Sequence, residues 1–192
     1  MKEQDKKSTM KINIIGSAPE WQNAPTDGIC WGFNTHILKR PYNVVFDMHD
    51  INRESSGFRN NGWKLSKHKH DESIDLCLDR DVTVFSLGSV KDSTIIEYPL
   101  GEICKYFDTD YFSCGAAYAI ALALYQGATE IDIWGIFLSF GDEHAYQKPC
   151  IEYWIGRAQG MGVKVEVHGM TRLLKNLRDN IYGYNYKQKV RL

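Results

Sequence analysis

Two short stretches carry residues whose types and spacing suit an anionic ligand. "IIGSAPEW" sets Gly16, Ser17, Ala18 and Pro19 directly after an apolar run. A glycine there lets the backbone approach a ligand closely, and a serine with neighbouring N–H groups can hydrogen-bond an anion. The same residues also suit a plain strand-to-loop turn; the stretch is neither a G-x-G-x-x-G fingerprint nor a P-loop, whose lysine is absent. "YFSCGAAYAIALALYQG" places Ser113, Cys114 and Gly115 at the start of an Ala- and Leu-rich run. Ser113 suits an N-cap, and the N–H groups of the first helical turn would attract a phosphate through the helix dipole. Cys114 in that position reads either as a thiol activated by the helix or as a small residue packed in the turn, and the second reading is preferred.

Two further stretches offer proton-transfer chemistry. "FDMHD" holds Asp47, His49 and Asp50, and a carboxylate beside His49 would fix its tautomer and raise its pKa. "GIFLSFGDEHAYQKP" gathers Asp142, Glu143, His144, Tyr146, Gln147 and Lys148, which supply phosphate donors and acid/base candidates. His144 with its acidic neighbours lacks the H-x-x-x-H or H-E-x-x-H spacing of a metal site, so no metal ligand is assigned. "KHKH" reads as a solvated face, and His168 as the end of the last strand without a ligand.

The elements that must position these residues alternate along the chain. Strands are expected at "KINII", "ICWGFN", "YNVVFDMHD", "DVTVFSL", "STIIEYP", "TEIDIWGI" and "VKVEVHG". Helices are expected at "PLGEICKYF", from Ser113 to Gln126 with Gly127 as its stop, from about Pro149, and over "TRLLKNLRDN". The polar run "INRESSGFRNNGWKLSKHKHDES" reads as a long surface excursion with at most a short helix from Trp63 to His70. Strands that return after helices at Glu130 and Val163 predict an α/β, single-domain, Rossmann-like fold: a mostly parallel sheet with helices on both faces. In such a sheet ligands bind outside the carboxyl ends of the strands, where Asn34, Asp47 and His49 would converge.

The 192 residues suit one domain, read as a flexible start over 1–10, the folded unit over 11–180 and a basic tail over 181–192. A formal charge of -1 gives no global field for nucleic acid or an anionic membrane, leaving the basic tail as the one stretch suited to nucleic acid. Five scattered cysteines without a C-x-x-C pair argue against a disulfide framework or zinc site, and for a reducing cytoplasm. No apolar run has membrane-spanning length. Five Trp and eleven Tyr leave room for an aromatic homo-oligomer interface.

Taken in order, "KINIIGSAPEW", the strand ending in Asn34 and "YFSCGAAYAIALALYQGATEIDIWGIFLSFGDEHAYQ" resemble the bacterial sialyltransferases of glycosyltransferase family 42. That family has a G-x-G-P-S loop after the first strand, an asparagine ending a later one and a Ser-Gly turn opening an apolar helix. The layout is also similar to 6-hydroxymethylpterin diphosphokinase-like proteins, and "EHAYQKP" is similar to an "EYAYQRP"-like segment of phage proteins. The resemblance spans roughly Lys11 to His168 and is strongest from Tyr111 to Tyr146. It implies a nucleotide or nucleotide-sugar ligand bound by Gly16, Ser17, Ala18, Pro19, Asn34, Ser113 and Gly115, with Tyr146 near its phosphate. For a glycosyl transfer, His49 or His144 would be the base, Asp47 and Lys148 would support the nucleotide, and magnesium is allowed as a partner of the phosphates. The chain departs from the family pattern in reading GSAP for the first loop and Gly135-Ile136-Phe137 where an aspartate is expected. Its shorter length carries no recognisable sialyltransferase lid. Sequestration of a nucleotide without catalysis, or pyrophosphoryl transfer, would use the same loops.

Overall fold

A computed structural model describes residues 9–48, 67–87, 94–138 and 142–175. Seven strands, β1 (Lys11–Ile15), β2 (Ile29–Phe33), β3 (Val44–Asp47), β4 (Thr83–Ser86), β5 (Ile95–Glu97), β6 (Glu130–Trp134) and β7 (Lys164–Val167), form one sheet in the order β5-β4-β3-β2-β1-β6-β7. Every pairing is parallel, so all carboxyl ends lie on one edge. The order steps outward from β1 in one direction through β5, then resumes on the other side with β6 and β7. That reversal between β1 and β6 is the switch point of a doubly wound sheet.

Alternation along the strands builds two cores. Ile12, Ile14, Ile131 and Ile133 face α2 (Leu100–Phe107), α3 (Gly115–Tyr125) and α4 (Asp142–Gly160). Ile15, Cys30, Val45 and Val84 face α1 (Lys67–Asp79) and two short 3-10 turns, Pro19–Asn23 and Asn34–Leu38. The helix α3 is buried on nearly all sides because five of its eleven residues are alanine, which lets it lie close to the sheet.

Three elements differ from the sequence expectation. The helix α4 begins at Asp142, seven residues before Pro149, which sits inside it. An interior proline removes a helical hydrogen bond and loosens the carbonyls of the preceding turn; packing of Cys150, Ile151, Trp154 and Ile155 into the core outweighs that cost. The helix α1 extends through Asp79, because Cys77 is buried and Ile74, Leu76 and Leu78 pack against the core, while its polar first turns hide the periodicity. After β7, residues 171–175 make a turn rather than the start of a helix. The Thr171 hydroxyl donates to the Ile136 carbonyl (2.7 Å) and accepts from the Leu173 N–H (3.1 Å). The remainder of "TRLLKNLRDN" and the basic tail lie outside the described residues.

The second 3-10 turn is pinned by buried polar groups. His36 Nδ1 lies 2.5 Å from the Tyr42 hydroxyl, its ring meets Trp21 edge-on, and Arg40 donates to the Trp21 and Pro25 carbonyls. Burial, with Lys39 and Arg40 nearby, pushes the His36 pKa down to about 4. The unfolded chain, with an ordinary histidine near 6.5, therefore binds the extra proton between those values. Stability is full above about pH 6.5 and falls as the pH drops toward 4. Urea midpoints measured from pH 7 to 4 check this: the fall should be shallower in His36→Asn than in the parent.

Candidate functional site

At the switch point the exits of β1 and β6 are zipped together. The Gly16 N–H donates to the Trp134 carbonyl (2.8 Å) and the Ala18 N–H to the Gly135 carbonyl (2.9 Å). A Cβ on Gly16 would stand 2.5 Å from the Gly135 oxygen, and Gly135 itself has φ +61°, so both positions require glycine. Only the first was picked out as a site residue from sequence; "WG" at the end of β6 repeats the "IG" at the end of β1 and was the available signal. Beyond the zipper, Ser17 and Pro19 are exposed and Ala18 half-buried.

Asn34 follows β2 directly with φ +48°, a left-handed conformation that asparagine tolerates better than most residues. Over the end of the same strand sits the start of α3: a Cβ on Gly115 would lie 3.0 Å from the Phe33 ring. The helix runs back across the sheet to enter β6 at Glu130, so its N-terminus belongs to the carboxyl edge. Sequence thus brings Gly16, Ser17, Ala18, Pro19, Asn34, Ser113 and Gly115 to one edge of the molecule.

The turn before α3 is held from beneath. Trp154 Nε1 (2.9 Å) and Cys150 Sγ (3.3 Å) both donate to the Tyr111 carbonyl, and the Phe112 ring stacks on Tyr118 and Trp154. The N-cap is Cys114, not Ser113, and no side chain caps the helix. Ser113 instead donates to the Tyr146 carbonyl (3.0 Å), one of the carbonyls in the turn before Pro149. That bond draws the first turns of α4 to the mouth of α3, where the Tyr146 side chain is 73% exposed. The Cys114 thiol is pushed up to about 11 by burial, which outweighs the N–H groups of Ala116 and Ala117 beside it. A thiol so protonated is a packed residue, not a nucleophile.

The remaining candidates are placed differently. Asp47 closes β3 at 1% exposure, in register with the equally buried Ser86 and near Cys77. Lys148 forms an ion pair with Glu152 (2.7 Å), whose carboxylate also accepts the Leu174 N–H. His144 falls on the first turn of α4, and His49 lies outside the described residues.

No helix among the described residues is long and apolar enough to cross a membrane. No family model and no curated protein matches the sequence. Among solved structures the chain is similar to the sialyltransferase CstII from Campylobacter jejuni, determined in complex with a substrate analogue, CMP-3FNeuAc. The two are 14% identical, the match covers 93% of each chain and the TM-score is 0.51. The chain therefore has a Rossmann-like α/β fold of the kind found in that sialyltransferase.

Proposed function

We propose that the chain is a transferase acting on a nucleotide-sugar, with the donor lying along the carboxyl edge between Ser17, Asn34 and the start of α3. The observation that carries this reading is the uncapped first turn of α3, set over the end of β2 with Asn34 directly after it. N–H groups there complement a leaving phosphate, and they are held in place before any charge develops. Ser113, Ser17 and Tyr146 complete the phosphate surface. The close pairing of Gly16 with Gly135 gives the donor a rigid floor. His144 or His49 takes the proton of the acceptor hydroxyl, and Lys148, once released from Glu152, serves as an auxiliary cation. Asp47 acts from within the sheet edge by orienting the β3 end, and magnesium acts on the phosphates if it is needed. All five cysteines are free thiols, which suits a reducing cytoplasm, that of the host if the chain is phage-encoded.

Thermal unfolding with a panel of CMP-, UDP- and GDP-sugars, with and without magnesium, tests the reading. One donor at about a hundred times its Kd should stabilise the fold by about 2.7 kcal/mol, a rise in Tm of roughly 5–10 °C. Ser113→Trp, at an exposed position, should fold normally and lose the shift. If no donor stabilises the folded chain, the reading fails. Release of free nucleotide on adding acceptors separates transfer from sequestration: His144→Ala should slow it about a hundredfold or more while leaving the thermal shift in place.

A further inference from the structure

The face of β6 and β7 turned away from α3 and α4 carries an ionic layer that the proposed donor site does not use. Asp132 lies in the middle of β6 and is 3% exposed. Its Oδ2 meets Lys11 Nζ at 2.8 Å and His168 Nε2 at 3.3 Å. Glu166, on β7 in register with Asp132, offers one oxygen to Lys164 (2.7 Å) and turns the other toward His168 Nε2 (3.8 Å). The imidazole is held flat against Trp134, ring centroids 3.8 Å apart and planes 5° from parallel. Each of Asp132, Glu166 and His168 therefore presents one donor atom, all within 4.8 Å of one another.

Four buried atoms in this layer lack a hydrogen-bond partner among the described residues: Asp132 Oδ1, Asn13 Oδ1, His168 Nε2 and, on the ring stacked against it, Trp134 Nε1. Asn13 is 3% exposed and stands opposite Asp132 in the β1–β6 register; its amide nitrogen donates to the Ile29 carbonyl while its oxygen has no partner among the described residues. Asp132 Oδ1 and Asn13 Oδ1 can only accept, His168 Nε2 accepts in the Nδ1–H tautomer, and the indole can only donate. The orphaned acceptors call for a shared cation, because a buried acceptor left alone is costly. Charge points the same way. Among the described residues, Glu130, Asp132 and Glu166 pair with two lysines, Lys11 and Lys164, one fewer than the carboxylates. Two of the spacings also fit: donors at about 2.1 Å from a tetrahedral ion stand about 3.4 Å apart, and His168 Nε2 lies 3.3 Å from Asp132 Oδ2 and 3.8 Å from Glu166 Oε2.

We propose that Asp132, Glu166 and His168 bind a divalent first-row transition ion, with Asn13 Oδ1 close enough in register to assist. One imidazole with two carboxylates is a donor set that suits zinc or manganese, and stacking on Trp134 fixes the imidazole before the ion arrives. The bound ion ties the middle of β6 to the end of β7 and balances the layer's surplus negative charge.

Calorimetric titration of the EDTA-dialysed full chain with zinc chloride at pH 7.5 tests the site. His168→Ala and Glu166→Gln alter partly exposed side chains, and circular dichroism verifies that both variants fold. One zinc should bind per chain, with affinity lowered at least tenfold in each variant. Cobalt, as a second probe, should quench tryptophan emission in the parent through the ring stacked on His168, and should do so less in His168→Ala. Zinc binding that both variants leave unchanged would place the ion on other histidines or thiols and overturn the proposal. Absence of binding by the folded parent would overturn it as well.

Discussion

Trp154→Ala should destabilise the fold by about 3–5 kcal/mol, the usual cost of emptying a large buried aromatic site. Trp154 is fully buried and packs against Phe107, Phe112 and Tyr153. The substitution also deletes the donor to the Tyr111 carbonyl, so the turn carrying Ser113 loses its main tether and the Phe112 ring loses one of its two stacking partners. Chemical denaturation should show the midpoint falling sharply, while any donor-induced thermal shift shrinks even in the fraction that remains folded. Trp154→Phe separates the two contributions. It should recover most of the stability through its ring and little of the ordering of the turn, read as a weaker donor shift at similar stability.

Gly16→Val should be nearly as severe, by a different route. Its first added carbon would meet the Gly135 carbonyl oxygen at 2.5 Å and Ile136 Cγ1 at 2.9 Å, and the backbone oxygen cannot rotate away as a side chain could. Overpacking of this kind typically costs about 1–3 kcal/mol, and the branched residue belongs at the upper end or beyond. The strands β1 and β6 must separate where they are zipped, which moves Ser17 and Ala18 out of the edge. Donor affinity should therefore fall by more than tenfold in chains that still fold. Ser17→Ala, which leaves the zipper intact, should cost affinity with little change in Tm, and a large drop in its Tm would show that the loop itself holds the fold together.

The parallel sheet was legible because its strands are short apolar runs bounded by glycine or polar residues. "KINII" and "EIDIW" pair along their whole lengths, and the register places their matching glycines side by side. The Gly115 helix was legible from alanine content and its glycine stop. What escaped reading had local signals that pointed the wrong way. Pro149 looks like a first-turn residue, yet tertiary packing carries the helix across it. Ser113 looks like a cap, yet its hydroxyl serves α4 and a cysteine stands in the cap position. The layer around Asp132 has no sequence motif at all, because its members come from β1, β6 and β7 and meet only through strand register. His168 in isolation gave no reason to expect two carboxylates beside it.

The sheet order has a consequence for how the chain reaches its native state. The strand β1 sits between β2, close in sequence, and β6, more than a hundred residues further on. Until Trp134 has been synthesised, one edge of β1 stays open, with Ile12 and Ile14 uncovered on one face because α3 and β6 arrive together. Pairings this distant in sequence close slowly and leave strand edges exposed to other chains in the interval. A charged side chain on an open strand edge hinders pairing with other chains, and the Lys11 ammonium, which reaches Glu130 and Asp132 once β6 arrives, supplies one, so a residue that later builds the ionic layer also guards the half-finished sheet.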